Sequence, residues 1–287
     1  MCRDCGLKYQ IRDGVVCTLP QNDGFYEGAY ENKVNYLPVT ENFWRIWPIW
    51  LINSGYLWAV RAHLPENSVV LELGCAGGVR YFGKRYRMIG GDLSFKSLLK
   101  TEYYGDRIQV DASSCIPLPD NSLDAVVSSY FLEHISPDAK PRMLAELARI
   151  LKPAGKLIFL YDVETQNPLI AYYKRTDPAR YEQLFLAGDG HVGYQKPSEN
   201  VGMFEAAGFK VLSHRGLEKT FFQSPAAYVK LGRFDSVLRP IFLAGAKLGA
   251  HPFFYPYTLF IRLLDSFVCP LLPVDWARMD LVVCAKK

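Results

Sequence analysis

Four residues spaced two apart, Glu72, Gly74, Ala76 and Gly78, lie within the stretch VVLELGCAGG at residues 69–78. The apolar run VVLEL predicts a buried strand, and the small residues after it predict a tight turn. Because glycine and alanine have little or no side chain, such a turn lets the backbone approach a ligand closely. A glutamate beside the turn is typical of a binding site for a small charged molecule.

The spacing of this turn excludes two common phosphate-binding loops. A P-loop would need a lysine after its second glycine, and none follows here. The fingerprint G-x-G-x-x-G, counted from Gly74, would need glycine where this chain has Ala76 and Val79. A pyrophosphate about 4 Å from Glu72 would be repelled by about 1 kcal/mol in water, and by about 4 kcal/mol at an effective dielectric constant of about 20. A sulfonium and an ammonium group would be attracted instead, which favours S-adenosylmethionine over NAD.

Two further carboxylates follow the next two predicted strands. Asp92, in IGGDLS, lies where a carboxylate can accept hydrogen bonds from both ribose hydroxyls, and Asp111, in QVDASS, lies where it can accept one from the adenine amine. Either aspartate could instead cap a helix. Three acids at three successive strand ends match three polar parts of one ligand, which favours the cofactor interpretation.

The segments LELGCAGG, GGDLS, QVDASSCIPLPDNSLDAVVSSYFLEHI and RILKPAGKLIF follow one another in the chain. They resemble the successive motifs of class I S-adenosylmethionine-dependent methyltransferases of the type 11-like kind, over about residues 66–214. The resemblance implies an α/β fold with a Rossmann-like seven-stranded sheet, mainly parallel with an antiparallel last strand, and helices on both faces. The chain departs from the pattern at Ala76, where the family more often has glycine, and in the short span from Gly78 to Met88.

The resemblance also implies a role for individual residues in binding S-adenosylmethionine. Cofactor contacts are expected from Glu72, Gly74, Ala76 and Gly78 at the methionine end, Asp92 at the ribose, Asp111 with Ala112 at the adenine, Ser129 after the fourth strand, and Leu93.

Methyl transfer from a sulfonium is an in-line displacement that depends mainly on positioning, so a general base is needed only if the acceptor must lose a proton. The candidates for a catalytic base are His134 in LEHIS and His191 in GDGHVGY. In the family, a histidine at the first of these positions is often structural. Tyr130 and Tyr161 would either shape the acceptor pocket or pack in the core. No metal-ligand cluster is visible in the sequence, so no catalytic metal is expected.

Strands and helices that alternate along the chain must position these residues. Strand-like runs occupy residues 69–73, 87–92, 107–110, 124–129, 156–161 and 279–285, and a helix end, a glycine and a strand occupy 203–214. Apolar residues at helical spacing predict a helix over 141–151, which would end at KPAGK. The alternation indicates a mainly parallel sheet, whose ligands bind beyond the carboxyl ends of the strands.

The composition is that of a globular protein, with 49% apolar and 22% charged residues among 287. The net charge of +4 is small and dispersed, so a nucleic-acid partner is not expected. The opening MCRDCGLKYQ lacks a secretory signal, and seven scattered cysteines do not form a disulfide pattern, so we expect a cytoplasmic protein.

The first residues, CRDCGLKYQIRDGVVCTL, resemble the second half of the zinc ribbons that precede some methyltransferases. Cys2 and Cys5 have ligand spacing, but tetrahedral zinc needs four donors and Cys17 would supply only one more. We therefore expect residues 1–40 to form a ribbon-like hairpin packed on a methyltransferase domain at 41–287, with zinc as the less favoured alternative.

Residues 216–276 form a hydrophobic and largely helical insertion before the predicted last strand. Its apolar stretches are interrupted by Arg239, Lys247, Arg262 and Asp265. Three interpretations remain: helices at a membrane interface, a pocket for a long acceptor, and a hydrophobic cover or homodimer patch.

Taken together, the sequence favours transfer of a methyl group to a small-molecule acceptor, hydrophobic or lipid-linked, in the cytoplasm or peripherally on the cytoplasmic face of the membrane. A soluble secondary metabolite is the second acceptor class. Two other functions remain as alternatives, a non-catalytic binding or scaffold protein and a nucleic-acid methyltransferase. The three acids argue against the first, and the dispersed basic residues argue against the second.

Overall fold

Nine strands form one mixed sheet in a computed structural model that describes residues 8–19, 54–251 and 253–287. The strands are β1 Gln10–Arg12, β2 Val15–Cys17, β3 Val69–Leu73, β4 Arg87–Asp92, β5 Asp106–Gln109, β6 Leu123–Ser129, β7 Leu151–Asp162, β8 Phe209–Leu217 and β9 Met279–Lys286. Their order across the sheet is β1-β2-β5-β4-β3-β6-β7-β9-β8.

The middle of this sheet is parallel. Strand β3 pairs with β4 and β6, β4 with β5, and β6 with β7, whereas β9 runs antiparallel to both β7 and β8. This confirms the expected Rossmann-like sheet with an antiparallel last strand. The register places Glu72 opposite Gly90, and Asp92 opposite Gln109. The carboxyl ends of β3, β4 and β5 therefore meet at one edge of the sheet.

The seven strands implied by the resemblance are β3 to β9, and an N-terminal hairpin adds two more. Strand β2 pairs in parallel with β5, with Val16 opposite Ile108. The hairpin covers an edge whose backbone groups would otherwise lack partners. The described residues 8–19 thus form a β-hairpin, and the ribbon-like nature of residues 1–40 stays a prediction. Cys2 and Cys5 lie outside the described residues, and Cys17, the last residue of β2, is buried in an apolar cluster on one face of the sheet.

Ten helices of the described chain connect or cover the strands. They are α1 Ser54–His63, α2 Arg80–Arg85, α3 Phe95–Leu99, α4 Lys140–Ile150, α5 Pro168–Thr176, α6 Pro178–Tyr181, α7 Pro197–Ala206, α8 Pro225–Leu231, α9 Arg239–Lys247 and α10 Phe254–Phe267. Helix α4 is the helix predicted over 141–151, shifted by one residue. Helix α2 is only 6 residues long, as the short span before Met88 suggested.

The two faces of the sheet are covered by separate apolar clusters. Successive residues of a strand point to opposite faces, and in β3 Leu71 belongs to one cluster and Val70 to the other. Leu147 of α4 packs in the first cluster, and Tyr56 of α1 and Phe82 of α2 pack in the second. Helices therefore lie on both faces, as expected.

The insertion occupies residues 218–278, between β8 and β9, and contains α8, α9 and α10. A third apolar cluster, which includes Tyr173, Tyr228 and Phe242, packs the insertion against α5. This agrees with the largely helical insertion expected over 216–276. Within the described residues, every helix is too short or too polar to cross a bilayer.

Candidate cofactor and acceptor site

The turn after β3 has the backbone conformation that its small residues allow. Gly74, Ala76 and Gly78 have φ values of +64°, +46° and +70°. A Cβ atom at Gly74 would lie 2.9 Å from the ring of Phe131, and one at Gly78 would lie 2.8 Å from the methyl group of Thr101. These two positions need glycine for space as well as for conformation. Ala76 adopts the left-handed region at a cost of about 1–2 kcal/mol.

The side chain of Asp92 fixes the backbone of this turn. Its Oδ2 accepts a hydrogen bond from Ala76 N at 2.9 Å, and its Oδ1 accepts one from Ser94 N at 2.9 Å. Thr101 Oγ1 donates to the carbonyl of Ala76 at 2.8 Å, so both sides of that residue are fixed. The cap of α3 is Ser94, whose hydroxyl accepts from Ser97 N at 3.1 Å. The half-buried Asp92 carboxylate thus lies between β4 and the glycine turn.

Glu72 is buried, with 3% of its surface exposed, and it bonds two tyrosines. Tyr104 donates to Oε2, and Tyr56 donates to Oε1 at 3.4 Å. Tyr104 also accepts a hydrogen bond from Val79 N at 2.8 Å, which connects the carboxylate to the turn. Burial raises the pKa of Glu72 to about 7, although the tyrosine bonds lower it in part. Glu72 therefore stabilises the turn through the hydroxyl of Tyr104.

The third acid, Asp111, is half-buried beyond the end of β5. Its Oδ1 accepts hydrogen bonds from the backbone N and the hydroxyl of Ser113, at 2.8 and 2.7 Å. Its Oδ2 accepts none from the residues that the structure describes. Ala112 is buried beside it, and Leu93 and Ser129 are half-buried at the same edge of the sheet, after β4 and at the end of β6. The sequence-predicted cofactor residues therefore lie together at the carboxyl ends of β3 to β6.

The two tyrosines considered for the acceptor pocket have different environments. Tyr130, directly after β6, has φ +57° and is 41% exposed. A bulky residue in the left-handed region is uncommon and is often found at functional sites. Tyr161 is only 1% exposed and packs against Phe204 in the core, at a ring-centroid distance of 6.4 Å. Tyr130 thus has the placement of a site residue, and Tyr161 has that of a core residue.

The structure brings the two candidate histidines together. The rings of His134 and His191 lie 5.0 Å apart, and His191 stacks on Tyr194. Burial lowers the pKa of His191 to about 4, so its imidazole is neutral at pH 7. One donor atom from each of Glu133, His134 and His191 lies within 4.8 Å of the other two. A cleft of about 240 Å³ is lined by Glu164, Lys174, Tyr181, Leu186, His191, Val192 and Tyr194.

A buried ionic network joins the insertion to the same end of the sheet. Arg278 donates to Glu218 Oε2 at 2.8 Å, to Asp162 Oδ1 at 3.3 Å and to Ser224 Oγ at 3.2 Å. Burial raises the pKa of Glu218, but the charge and hydrogen bond of Arg278 outweigh it and leave that pKa below its usual value. The network connects the end of β7, the start of the insertion and the start of β9.

Sequence reasoning missed several residues of this region. Tyr104 is separated from Glu72 by 32 positions, and no spacing rule connects a tyrosine to a strand-end glutamate at that distance. Glu218 and Arg278 are the first and last residues of the insertion, and no spacing rule predicts an ion pair between residues so far apart in the chain. Glu133 directly precedes His134, and that adjacency was the one available indication of a shared site.

Residues 71–159 match the methyltransferase domain family. The matched segment runs from β3 through the glycine turn, Asp92 and Asp111 to β7. Residues 71–159 are therefore similar to a methyltransferase domain, and the strand order is that of the Rossmann-like class I methyltransferase fold.

Curated relatives resemble this domain at low identity. The chain is 34% identical over 87 residues to the ubiquinone/menaquinone biosynthesis C-methyltransferase UbiE of Hahella chejuensis, covering 30% of this chain and 33% of that protein. It is 29% identical over 156 residues to the UbiE of Syntrophotalea carbinolica, covering 46% and 62%. A tRNA N(3)-cytidine methyltransferase of Danio rerio is 30% identical over 105 residues, covering 36% and 29%. The chain thus spans from about a third to less than two thirds of these proteins.

Solved structures share the fold. A putative methyltransferase of Bacillus halodurans has a TM-score of 0.52 at 18% identity, covering 81% of this chain and 99% of that chain. The YcgJ protein of Bacillus subtilis has a TM-score of 0.51 at 17% identity, covering 82% and 99%. At such identities the likeness concerns the fold alone.

Proposed function

We propose that the protein is a methyltransferase that binds S-adenosylmethionine at the carboxyl ends of β3 to β6 and methylates a small hydrophobic acceptor. The observation that carries this proposal is the left-handed turn of Gly74, Ala76 and Gly78, fixed from one side by Asp92 and from below by Glu72 through Tyr104. When bound, S-adenosylmethionine supplies an electrophilic methyl group on a sulfonium.

The chain's own residues bind the cofactor and place the acceptor. The turn presents backbone close to the cofactor, since a side chain at Gly74 would collide with Phe131. Asp92 suits the ribose hydroxyls, and the open Oδ2 of Asp111 suits an amine donor on adenine. Glu72 stabilises the turn through Tyr104, and its contact with the methionine end of the cofactor stays a prediction. Tyr130 borders the acceptor side. His191 is neutral at pH 7, but its lowered pKa makes it a weak base, so methyl transfer would depend mainly on positioning.

The insertion supports a hydrophobic acceptor. Fourteen of the twenty-one large apolar side chains exposed among the described residues lie between residues 218 and 278. In α10 two polar side chains, Thr258 and Asp265, are buried, whereas Leu263 and Phe267 are 49% and 73% exposed. Soluble surfaces rarely concentrate apolar residues in this way. We infer that this surface contacts a membrane interface in which a lipid-like acceptor dissolves.

Isothermal titration with S-adenosylmethionine tests the cofactor proposal. The wild type should bind, and Asp92→Asn and Asp111→Asn should each weaken binding by about 10- to 100-fold, since a hydrogen bond to a charged group contributes about 1.5–3 kcal/mol. Asp106→Asn, an exposed aspartate at the start of β5, is the matched control. No binding by the folded wild type would favour the scaffold alternative.

Transfer of radiolabelled methyl groups tests the acceptor class. The protein is incubated with labelled S-adenosylmethionine and, separately, with bacterial lipid extract, with total RNA and with a water-soluble metabolite fraction. Label that partitions into the organic phase, and is lost in Asp92→Asn, supports the proposal. Label in RNA or in the aqueous fraction would replace the hydrophobic acceptor with one of the alternatives.

A further inference from the structure

Two buried polar atoms close to the candidate histidines lack hydrogen-bond partners among the described residues. Glu133 is 1% exposed, and its Oε1 accepts a weak hydrogen bond from Asp162 N at 3.4 Å, while its Oε2 accepts none. Nδ1 of His191 is likewise buried without a partner. An unsatisfied buried polar atom is unfavourable, so two of them in one cluster need an explanation.

The third member of the cluster is oriented by the backbone. Nδ1 of His134 lies 3.1 Å from the carbonyl oxygen of Gly190, and a carbonyl can only accept. The proton is therefore on Nδ1, and the acceptor nitrogen of this imidazole is Nε2. A histidine that binds a metal commonly has its other ring nitrogen fixed by a carbonyl in this way.

The loop that carries His191 is held against the segment that carries the other two residues. Gly193 N donates to the carbonyl of Glu133 at 2.8 Å. On the other side of the same glycine, the buried ammonium of Lys140 donates to its carbonyl at 2.7 Å. The juxtaposition is thus built into the fold by contacts that do not involve the cluster's own side chains.

We propose that Glu133, His134 and His191 bind a divalent transition-metal ion. Two imidazoles and one carboxylate form a donor set typical of catalytic zinc and other transition-metal sites, in which a further coordination position stays open. Their donor atoms lie within 4.8 Å of one another, and tetrahedral zinc with bonds of about 2.0 Å needs separations of about 3.3 Å. Small side-chain rotations would close that difference.

The local charge supports a cation at this position. Glu133 and Asp162 are both buried carboxyl groups, and they lie next to each other, since the backbone N of Asp162 donates to Glu133 Oε1. A dication would stabilise both carboxylates. Because His191 also lines the cleft, the open coordination position would be accessible to water or to an oxygen atom of an acceptor. This proposal goes beyond methyl transfer, since it concerns metal binding and holds whether or not the cofactor proposal does.

The test uses the full chain, stripped with chelator and titrated with Zn²⁺ against a chromophoric competitor. Cys2 and Cys5 could bind zinc independently, so the titration is repeated in a variant with both replaced by serine. That variant should still bind one equivalent of Zn²⁺. His191→Asn and Glu133→Gln should each weaken this binding by at least about 10-fold, since even the loss of an outer-shell partner of a ligand typically costs about 10- to 100-fold. The exposed His251→Asn is the matched control and should bind like its parent.

A spectroscopic measurement keeps the proposal testable if a variant folds poorly. Co²⁺ should give the visible absorption of a four- or five-coordinate ion in the variant that lacks Cys2 and Cys5, without a thiolate charge-transfer band. The Co²⁺ spectrum of the wild type should differ from that of this variant only by a thiolate contribution from Cys2 and Cys5. The proposal is overturned if the folded variant without Cys2 and Cys5 binds no Zn²⁺ or Co²⁺, or if folded His134→Asn and His191→Asn bind both ions as the parent does.

Discussion

Tyr104 connects the buried carboxylate of Glu72 to the backbone of the glycine turn. Its hydroxyl donates to the carboxylate and accepts from Val79 N at 2.8 Å. Glu72, at the end of β3, thus acts on the turn through the side chain of Tyr104, which follows α3 in the chain. The turn conformation and the ionisation of Glu72 are therefore coupled.

Removal of the Tyr104 hydroxyl should uncouple the conformation of the glycine turn from the ionisation of Glu72. In Tyr104→Phe both the donor to Glu72 and the acceptor for Val79 N disappear, and a buried carboxylate oxygen is left without a partner. We expect a loss of about 1–3 kcal/mol in the free energy of unfolding, measured by urea denaturation, and weaker S-adenosylmethionine binding by titration. Tyr103→Phe, next in sequence, should change neither quantity. Equal effects of the two substitutions would contradict a specific role for Tyr104.

The raised pKa of Glu72 predicts a pH dependence of stability. Its pKa is about 7 when folded, against a usual value of 4.5. Below pH 4.5 the proton is bound in both states, so this contribution is fully present there. As pH rises to about 7, only the unfolded state ionises, and on the order of 3 kcal/mol of stability is lost.

Denaturation curves recorded from pH 4.5 to 8 measure this loss. In Glu72→Gln the decline over that interval should become shallower by the same amount, because the side chain no longer ionises. Glu102→Gln removes an exposed carboxyl group and should leave the wild-type slope in place. An unchanged slope in Glu72→Gln would show that this carboxyl group is not the source of the pH dependence of stability.

The elements were predictable where local pattern and tertiary environment agree. VVLEL became β3 at the predicted residues, since a buried parallel strand is apolar throughout. The hairpin's pairing with β5 was not predictable, because it depends on an edge strand far away in the chain. Likewise, Asp92 was identified by its position after a strand, whereas the approach of His191 to His134 depends on how the loop folds back. Spacing rules describe neighbours in sequence, and these contacts are long-range.

The glycine turn offers a paired test of backbone conformation. Gly74→Ala places a Cβ atom 2.9 Å from Phe131 in the left-handed region. We expect a loss of about 1–3 kcal/mol in stability and at least 10-fold weaker cofactor binding, because the turn must shift. Gly105→Ala adds a methyl group with nothing within 4 Å and should be close to neutral. Thermal unfolding and titration measure both, and cofactor binding unchanged in Gly74→Ala would contradict the assigned turn.

The buried ion network should be essential for stability. Arg278→Met removes the partner of Glu218 and Asp162, leaving buried carboxylates uncompensated, so a loss of about 3–5 kcal/mol is expected. Arg239→Met breaks an exposed pair with Asp235 and should cost less than about 1 kcal/mol. Because Arg278 lowers the pKa of Glu218, the wild-type contribution is present at neutral pH and is lost as pH falls through that lowered pKa. Chemical denaturation of the two variants at pH 7 should therefore separate them clearly, and similar losses would show that the network is not stabilising.

The apolar surface of α10 leads to a prediction about membranes. Leu263→Glu and Phe267→Glu place charges on the face proposed to enter the lipid interface, and each should reduce co-flotation with liposomes of bacterial phospholipid by several-fold. Charged residues at that depth are unfavourable, whereas the buried face of the helix is unaltered, so thermal stability should change little. Ile11→Glu, on the exposed β1, carries the same change in charge and should float like the wild type. If the wild type does not float but sediments as a dimer that the α10 substitutions dissociate, the surface is a contact between two copies of the chain, and the acceptor need not be dissolved in a membrane.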